Sequence, residues 1–320
     1  MAKRRFSLVF SSLVALSVSF WSGMAFAGDP FRSQNPRPIG DQTEAAFEAF
    51  FMEGNYPEAV ELIQQAATTE TNDPLTNALM AALAYNQQDW SGLQTQAQNT
   101  LDTAEQIMAD DPLRGNLYTA IGHFLEGIYK FEQQGPVGAV AKLGQVLRYM
   151  DKAAEVNPND PELNLIKGYM DLIIAVHLPM SDPSDAIANL ERNAAPSYLV
   201  HRGIALAYRD IGQSEKDTNQ RKDTFENALE YVNRALEETP DNPEVIYLKA
   251  QILHELGHTN NDDQDTLENA IALFGQVKAH LDQLPAIPQL DREINIACSR
   301  AYPQGPNNED SEASQVCQAL

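Results

Sequence analysis

The chain has 320 residues, 43% of them hydrophobic, which is enough to bury a sizeable core or a string of smaller helical units. It carries 45 acidic and 22 basic residues, a formal net charge of −23, spread along the chain without a dominant acidic run. Such a charge repels nucleic acid and anionic lipid, so we expect neither as a partner of this acidic, soluble body.

Residues 1–27 have the pattern of a secretory signal peptide. A basic start at Lys3, Arg4 and Arg5 precedes a short apolar stretch, and the sequence AFA at 25–27 has the form of a cleavage site. The apolar stretch is shorter and richer in serine than a membrane span of about 20 apolar residues. We expect export, with no membrane insertion after cleavage; the alternative is an uncleaved anchor.

Residues 28–42 are predicted to be a linker, and helices are expected from residue 43 onward. Apolar residues recur there at intervals of three and four, as in Ala59, Leu62, Ile63 and Ala66, which is the period of an amphipathic helix. No segment alternates with the two-residue period of a strand. The chain therefore reads as all-α.

Five dipeptides share one form, and we expect four or five of them to mark helix starts. In each, Asp or Asn can accept backbone N–H bonds as the cap, and Pro stands at the first helical position, where its missing N–H removes no bond. The five are Asp73-Pro74, Asp111-Pro112, Asp160-Pro161, Asp182-Pro183 and Asn242-Pro243.

Two neighbouring segments share a pattern of small and large apolar residues. The first has Ala205, Tyr208, Gly212, Phe225, Ala228, Val232, Ala235 and Pro240, and the second has Ala250, Leu253, Gly257, Leu267, Ala270, Phe274 and Val277. This pattern resembles the tetratricopeptide repeat (TPR), and looser copies occur upstream. The resemblance implies a right-handed solenoid of antiparallel helix pairs, here over residues 43–283, in which small residues let the helices of a pair cross closely.

The chain departs from this family in the turns between the two helices of a pair. About eleven extra residues follow Gly212 and about eight follow Gly257, compared with the 34-residue repeat. Because these insertions are polar, we expect elongated loops at both places.

The resemblance also implies a concave groove lined by the first helix of each pair, which binds an extended peptide or a helix of another protein. The groove positions include Arg202, Leu206, Arg209, Tyr247, Gln251 and His254. The two arginines lie seven residues apart, on one helical face, and guanidinium groups bind carboxylates in a two-pronged geometry. The alternative is a pair of surface arginines that answer nearby acidic groups.

The sequence HELGH at 254–258 matches the H-E-x-x-H pattern of zinc metallopeptidases. A zinc helix must continue past its second histidine, whereas Gly257 and the polar residues after His258 favour a helix end. A third ligand at the expected spacing is also missing, since Asn261 and Gln264 stand there. We therefore expect no metal, no cofactor and no enzymatic activity, and we keep a zinc peptidase as the alternative function.

Residues 284–320 are predicted to form a C-terminal helix and tail closed by a disulfide. Cys298 and Cys317 are the two cysteines of the chain, and in an exported protein they can pair. Free thiols in a frayed tail are the alternative. A loop of this length stabilises a fold by roughly 3 kcal/mol when it is closed.

The function predicted from these observations is that of an exported interaction module, a scaffold or assembly factor. A purely structural spacer is a further possibility. The chain is also similar to exported TPR proteins of cyanobacteria, which implies the periplasm or the thylakoid lumen.

Overall fold

A computed structural model of the chain describes residues 28–177, 183–306 and 311–319. Within these residues the protein is all-helical, with fourteen α-helices and no β-strand, which confirms the predicted all-α class. No helix in the described ranges has the length and apolar character needed to cross a membrane. The predicted signal peptide 1–27 lies outside the described residues.

The helices follow one another with short connections. Their bounds are α1 Asp41–Glu48, α2 Tyr56–Thr69, α3 Pro74–Asn86, α4 Trp90–Ile107, α5 Pro112–Gln134, α6 Pro136–Val156, α7 Pro161–His177, α8 Ser184–Asn193, α9 Ser197–Ser214, α10 Thr218–Glu238, α11 Pro243–Thr259, α12 Gln264–Ala279, α13 Leu290–Ala301 and α14 Glu312–Gln318. A short π-helical segment, Ala49–Glu53, continues α1 and ends at Gly54.

The Asp-Pro and Asn-Pro dipeptides begin helices as predicted in four of the five cases. Asp73, Asp111 and Asn242 are the N-caps of α3, α5 and α11, and each side chain accepts a backbone N–H bond in the first turn. The Asp160 carboxylate does the same for the Leu163 N–H at the start of α7. The remaining dipeptide is Asp182-Pro183. The helix that follows it, α8, begins at Ser184, and Asp182 lies outside the described residues.

Consecutive helices pack against each other along the chain, most extensively α3 to α4 to α5 to α6 and α9 to α10 to α11 to α12. Alternate helices are neighbours too, as α3 with α5, α7 with α9, and α9 with α11. The buried side chains follow this order. One core cluster joins α1–α9, and others lie between α9, α10 and α11 and between α11 and the C-terminal helices.

The predicted elongated loops are wrong. After Gly212, helix α9 continues to Ser214 and α10 begins at Thr218, so the extra residues lengthen the two helices. After Gly257 the connection between α11 and α12 is only residues 260–263. Gln, Lys and Arg have good helix propensity. Since the buried apolar residues already hold each helix in place, the polar residues beyond them continue the helix instead of forming a loop.

The predicted linker 28–42 ends two residues early, because α1 begins at Asp41, and residues 28–40 pack as an irregular arm against the body of the protein. Phe31 and Ile39 are buried in the main core. Arg37 forms ion pairs with Asp111 at 3.1 Å, Asp160 at 3.0 Å and Glu162 at 2.7 Å. The arm is therefore fixed to the N-terminal turns of α5 and α7, and on α7 Arg37 meets two buried carboxylates.

Residues after 284 form two helices. A disulfide joins Cys298 of α13 to Cys317 of α14, with a Cα–Cα distance of 5.7 Å, as predicted. Both helices pack on α12, and Val316 lies against Gly275. The C-terminal helices thus cover an apolar face that α12 would otherwise expose.

Candidate functional site

The predicted groove positions come together on neighbouring helices. Five of the six residues line one open cavity of about 430 Å³ between α9, α11 and residues 284–289. They are Arg202, Leu206, Arg209, Tyr247 and Gln251. His254 lines an adjoining cavity of about 220 Å³, which shares Gln213, Gln251 and Gln289 with the first.

A series of side-chain hydrogen bonds links α9 to α11 and α11 to α13 across the groove floor. Arg202 donates to Glu244 at 2.8 Å, Arg209 donates to Gln251 at 2.9 Å, and Gln251 donates to Glu293 at 3.2 Å. In each pair the partners are 42 residues apart in sequence. The same sequence interval therefore recurs between facing residues of α9 and α11 and of α11 and α13.

Arg202 is held by an ion pair to the neighbouring groove helix. Its Nη2 pairs with Glu244, and the Tyr56 hydroxyl donates to the other oxygen of that carboxylate at 2.6 Å. Burial raises the pKa of Tyr56, and the neighbouring Glu244 carboxylate raises it further, so the hydroxyl keeps its proton. Arg202 thus joins α9 to α11 and α2, and its charge is satisfied before any partner binds.

Arg209 is about as exposed as Arg202 and is paired with its chain neighbour Asp210. Its Nε and Nη2 donate to one oxygen of Asp210 at 2.9 and 2.7 Å, and its Nη1 donates to Gln251. The side chain is about a fifth exposed at 21%. Its other N–H groups can meet a carboxylate that enters the cavity.

Tyr247 and Gln251 converge on Glu293. The Tyr247 hydroxyl donates to Glu293 at 2.7 Å, and the Gln289 amide donates to the same hydroxyl at 3.2 Å. Burial and the hydrogen-bonded Glu293 carboxylate raise the pKa of Tyr247, so this hydroxyl also remains protonated. The result is a fixed polar wall between α11 and α13.

The predicted end of the helix before His258 is wrong. Helix α11 continues to Thr259, and the chain turns at Asn261 and Asp262, whose φ angles are 61° and 56°. Gly257 is an interior residue of this helix, and a Cβ there would lie 3.0 Å from the Leu267 side chain. Glycine is used at this place for close packing of α11 on α12, not to end the helix.

The two histidines of HELGH therefore lie one turn apart on a continuous helix, yet each has another partner. The His254 Nε2 accepts from Arg300 Nη1 at 3.0 Å, and His258 Nδ1 contacts Asp262 at 2.9 Å. Burial first, and Arg300 second, lower the pKa of His254 to about 4. A guanidinium group thus faces the lone pair that a zinc ligand would use.

In the described part of the chain, a third metal ligand is not in reach. Among the residues that the structure describes, no group of three or more His, Cys, Asp and Glu side chains could hold a metal ion.

One wall of the groove, and two sets of contacts that fix the groove helices to the N-terminal region, escaped the sequence reasoning. Tyr56 comes from the N-terminal region, and its N–H donates to the Gln283 carbonyl at 2.9 Å. The Asn242 amide donates to the carbonyls of Phe51 and Met52, both at 3.1 Å. Residues 284–287 cross the cavity from the other side. Their sequence LPAI, followed by Pro288, was the available signal, because such a segment favours an extended chain.

Comparison of this chain with family models, curated proteins and solved structures finds no match in any of the three.

Proposed function

We propose that this chain is an exported TPR-type interaction module that binds a peptide or protein segment in the groove between α9, α11 and residues 284–289. It acts as a scaffold or assembly factor in the periplasm, or in the thylakoid lumen if the source is cyanobacterial. The observation that carries this proposal is the open cavity in which five predicted groove residues meet.

Two repeated features support the TPR-type architecture. The polar contacts across the groove recur at a sequence separation of 42. Close helix crossings recur as well, since a Cβ on Gly212 would lie 2.8 Å from Phe225 and one on Gly257 would lie 3.0 Å from Leu267. Both features are expected where equivalent helix pairs stack in one direction.

The geometry favours an acidic or hydrogen-bonding segment as the ligand. Leu206, Leu284 and Ile287 give the cavity an apolar part, while Arg209 and Gln251 give it a polar part. Cavities of this mixed kind bind through apolar burial and gain specificity from a few placed polar groups. Both arginines already hold a carboxylate. Glu244, the partner of Arg202, is 18% exposed and also accepts from Tyr56, whereas Asp210, the partner of Arg209, is 34% exposed, so we assign recognition of a partner carboxylate to Arg209.

Site-specific photo-crosslinking in the native envelope fraction tests this proposal. The crosslinking residue replaces Leu206 inside the cavity, or the exposed Glu226 on α10 as a matched control. We expect a defined crosslinked partner from position 206 only, and its loss when Arg209→Glu is added. Equal crosslinking from both positions, or from position 206 with and without Arg209→Glu, would contradict groove binding.

The continuous helix through His258 favours the zinc peptidase alternative, whereas the contact of Arg300 with His254 argues against it. Dialysis against zinc followed by metal analysis distinguishes the zinc peptidase from the interaction module. Retention of one zinc per chain in the wild type, but not in His254→Gln, would favour the peptidase over the module. A purely structural spacer predicts no crosslinked partner from any groove position.

A further inference from the structure

The helical hairpin of α5 and α6 exposes an unusual share of the large apolar side chains. Ten such side chains are exposed among the described residues, and seven of them lie on these two helices. Six form what we call the hairpin patch: Phe124, Phe131, Val137, Val140, Leu143 and Leu147. Four of the six line one shallow groove of about 450 Å³.

The exposed face of α6 has the spacing of a helix-packing seam. Val137, Val140, Gly144 and Leu147 are separated by three or four residues, which places them on one side of the helix. Val137 and Val140 are 83% and 67% exposed. A Cβ on Gly144 would meet nothing within 4 Å, so a second helix can approach the backbone closely at this residue.

Charge makes this face different from the rest of the molecule. Between Asp111 and Asp151 the chain has only two of its 45 acidic residues, Glu126 and Glu132. Glu126 is also neutralised, because Lys142 Nζ lies 2.5 Å from its carboxylate. Two chains that each carry −23 repel one another, so copies can meet most readily where acidic groups are scarce.

We propose that the hairpin patch binds the same patch of a second copy of this chain, with the two α6 helices antiparallel and crossing near Gly144. The six side chains expose roughly 500 Å² together, since a large apolar side chain presents on the order of 150–200 Å². A standard interface buries about 800 Å² per partner, a little over half of it apolar. The patch supplies that apolar part.

The charges at the two ends of the hairpin favour the antiparallel arrangement. Glu132 lies in the last turn of α5, and the far end of α6 exposes two basic and two acidic side chains, Arg148, Lys152, Asp151 and Glu155. Antiparallel packing brings the turn of one copy, which has no charged residue from 133 to 141, toward this charged end of the other. Parallel packing would bring Arg148 toward Arg148, and like charges at short range are unfavourable.

Sedimentation equilibrium over a range of protein concentrations tests the association. We expect a monomer–dimer equilibrium that tightens as salt is raised, because salt screens the repulsion between the acidic bodies. Val140→Glu should weaken the dimer at least 100-fold. Leu281→Glu, a matched change of an exposed apolar residue outside the patch, should leave it unchanged. A wild type that stays monomeric throughout, or an equal effect of the two variants, would overturn the proposal.

Cysteine crosslinking tests the geometry, because both native cysteines are already paired with each other. A single Gly144→Cys should form a disulfide between copies, since the Cα atoms at the crossing lie within about 7 Å. Val137→Cys should not form this disulfide. Position 137 is seven residues, about 10 Å along the helix, from the crossing, and in an antiparallel pair the two copies of this residue lie on opposite sides of the crossing. Equal crosslinking at both positions would refute the antiparallel arrangement.

Monomers that sediment with phosphatidylcholine–phosphatidylglycerol vesicles would show that lipid, not a second copy, covers the patch. None of these variants touches the groove, so failure here leaves the proposed function to its own test.

Discussion

The N-terminal arm offers the sharpest test of how the fold is held together, through the substitution Arg37→Met. This change removes three ion pairs and keeps a side chain of similar length. Two of the carboxylates, Asp160 and Glu162, have fully buried side chains, and the third, Asp111, is 34% exposed. The cost therefore comes from leaving two buried charges with fewer partners.

The magnitude follows from what each carboxylate keeps. Removing one partner of a buried ion pair costs about 3–5 kcal/mol. Glu162 still accepts from the Tyr118 hydroxyl at 2.6 Å and lies 3.3 Å from Arg114 Nε. Asp160 keeps its ion pair with Arg32. Because neither carboxylate is stranded, we expect the lower end of the range, about 3 kcal/mol.

Urea unfolding followed by circular dichroism measures this loss. The matched control is Arg234→Met, which removes an exposed pair with Glu230 and should cost less than about 0.5 kcal/mol. Adding Glu162→Gln to Arg37→Met should cost less than the sum of the two single changes, because the two groups share one network. A loss below about 1 kcal/mol for Arg37→Met would refute the idea that this cluster fixes the arm.

Three further predictions concern other parts of the molecule. The pKa of His254 is lowered to about 4 from 6.5, so the unfolded chain takes up that proton first and stability is lost as pH falls from 6.5 to 4. His254→Gln should remove up to about 3 kcal/mol of this loss in urea titrations at each pH, and an unchanged slope would contradict the assignment. Cys298→Ala with Cys317→Ala should cost roughly 3 kcal/mol, since the bridge spans a separation of 19, and reductant should then have no further effect on the thermal midpoint. Gly212→Ala places a methyl group 2.8 Å from a buried aromatic ring and should destabilise the fold by about 1–3 kcal/mol. Gly127→Ala makes only ordinary contacts and should be neutral or stabilising. Calorimetry measures both stabilities, and a Gly212→Ala variant more stable than Gly127→Ala would refute this reasoning.

The sequence by itself determined the helical class and most of the helix starts. An Asp or Asn before Pro supplies a cap from the adjacent residue, so the helix starts at Pro74, Pro112, Pro161 and Pro243 are encoded locally. The spacing of three and four residues identified the faces that pack. The same period brought Arg202 and Arg209 to one wall of the groove, because residues seven apart share a helical face.

Only the tertiary structure decided where α11 ends and what closes the groove. Glycine inside a helix costs about 1 kcal/mol relative to alanine, and close packing of Gly257 on Leu267 outweighs that local preference. Tyr56 reaches Glu244 across 188 residues of sequence, a contact that no local pattern specifies. Helix starts depend on neighbouring residues in the chain, whereas groove walls depend on which helices the whole core brings together, and that second choice is made only when the chain packs.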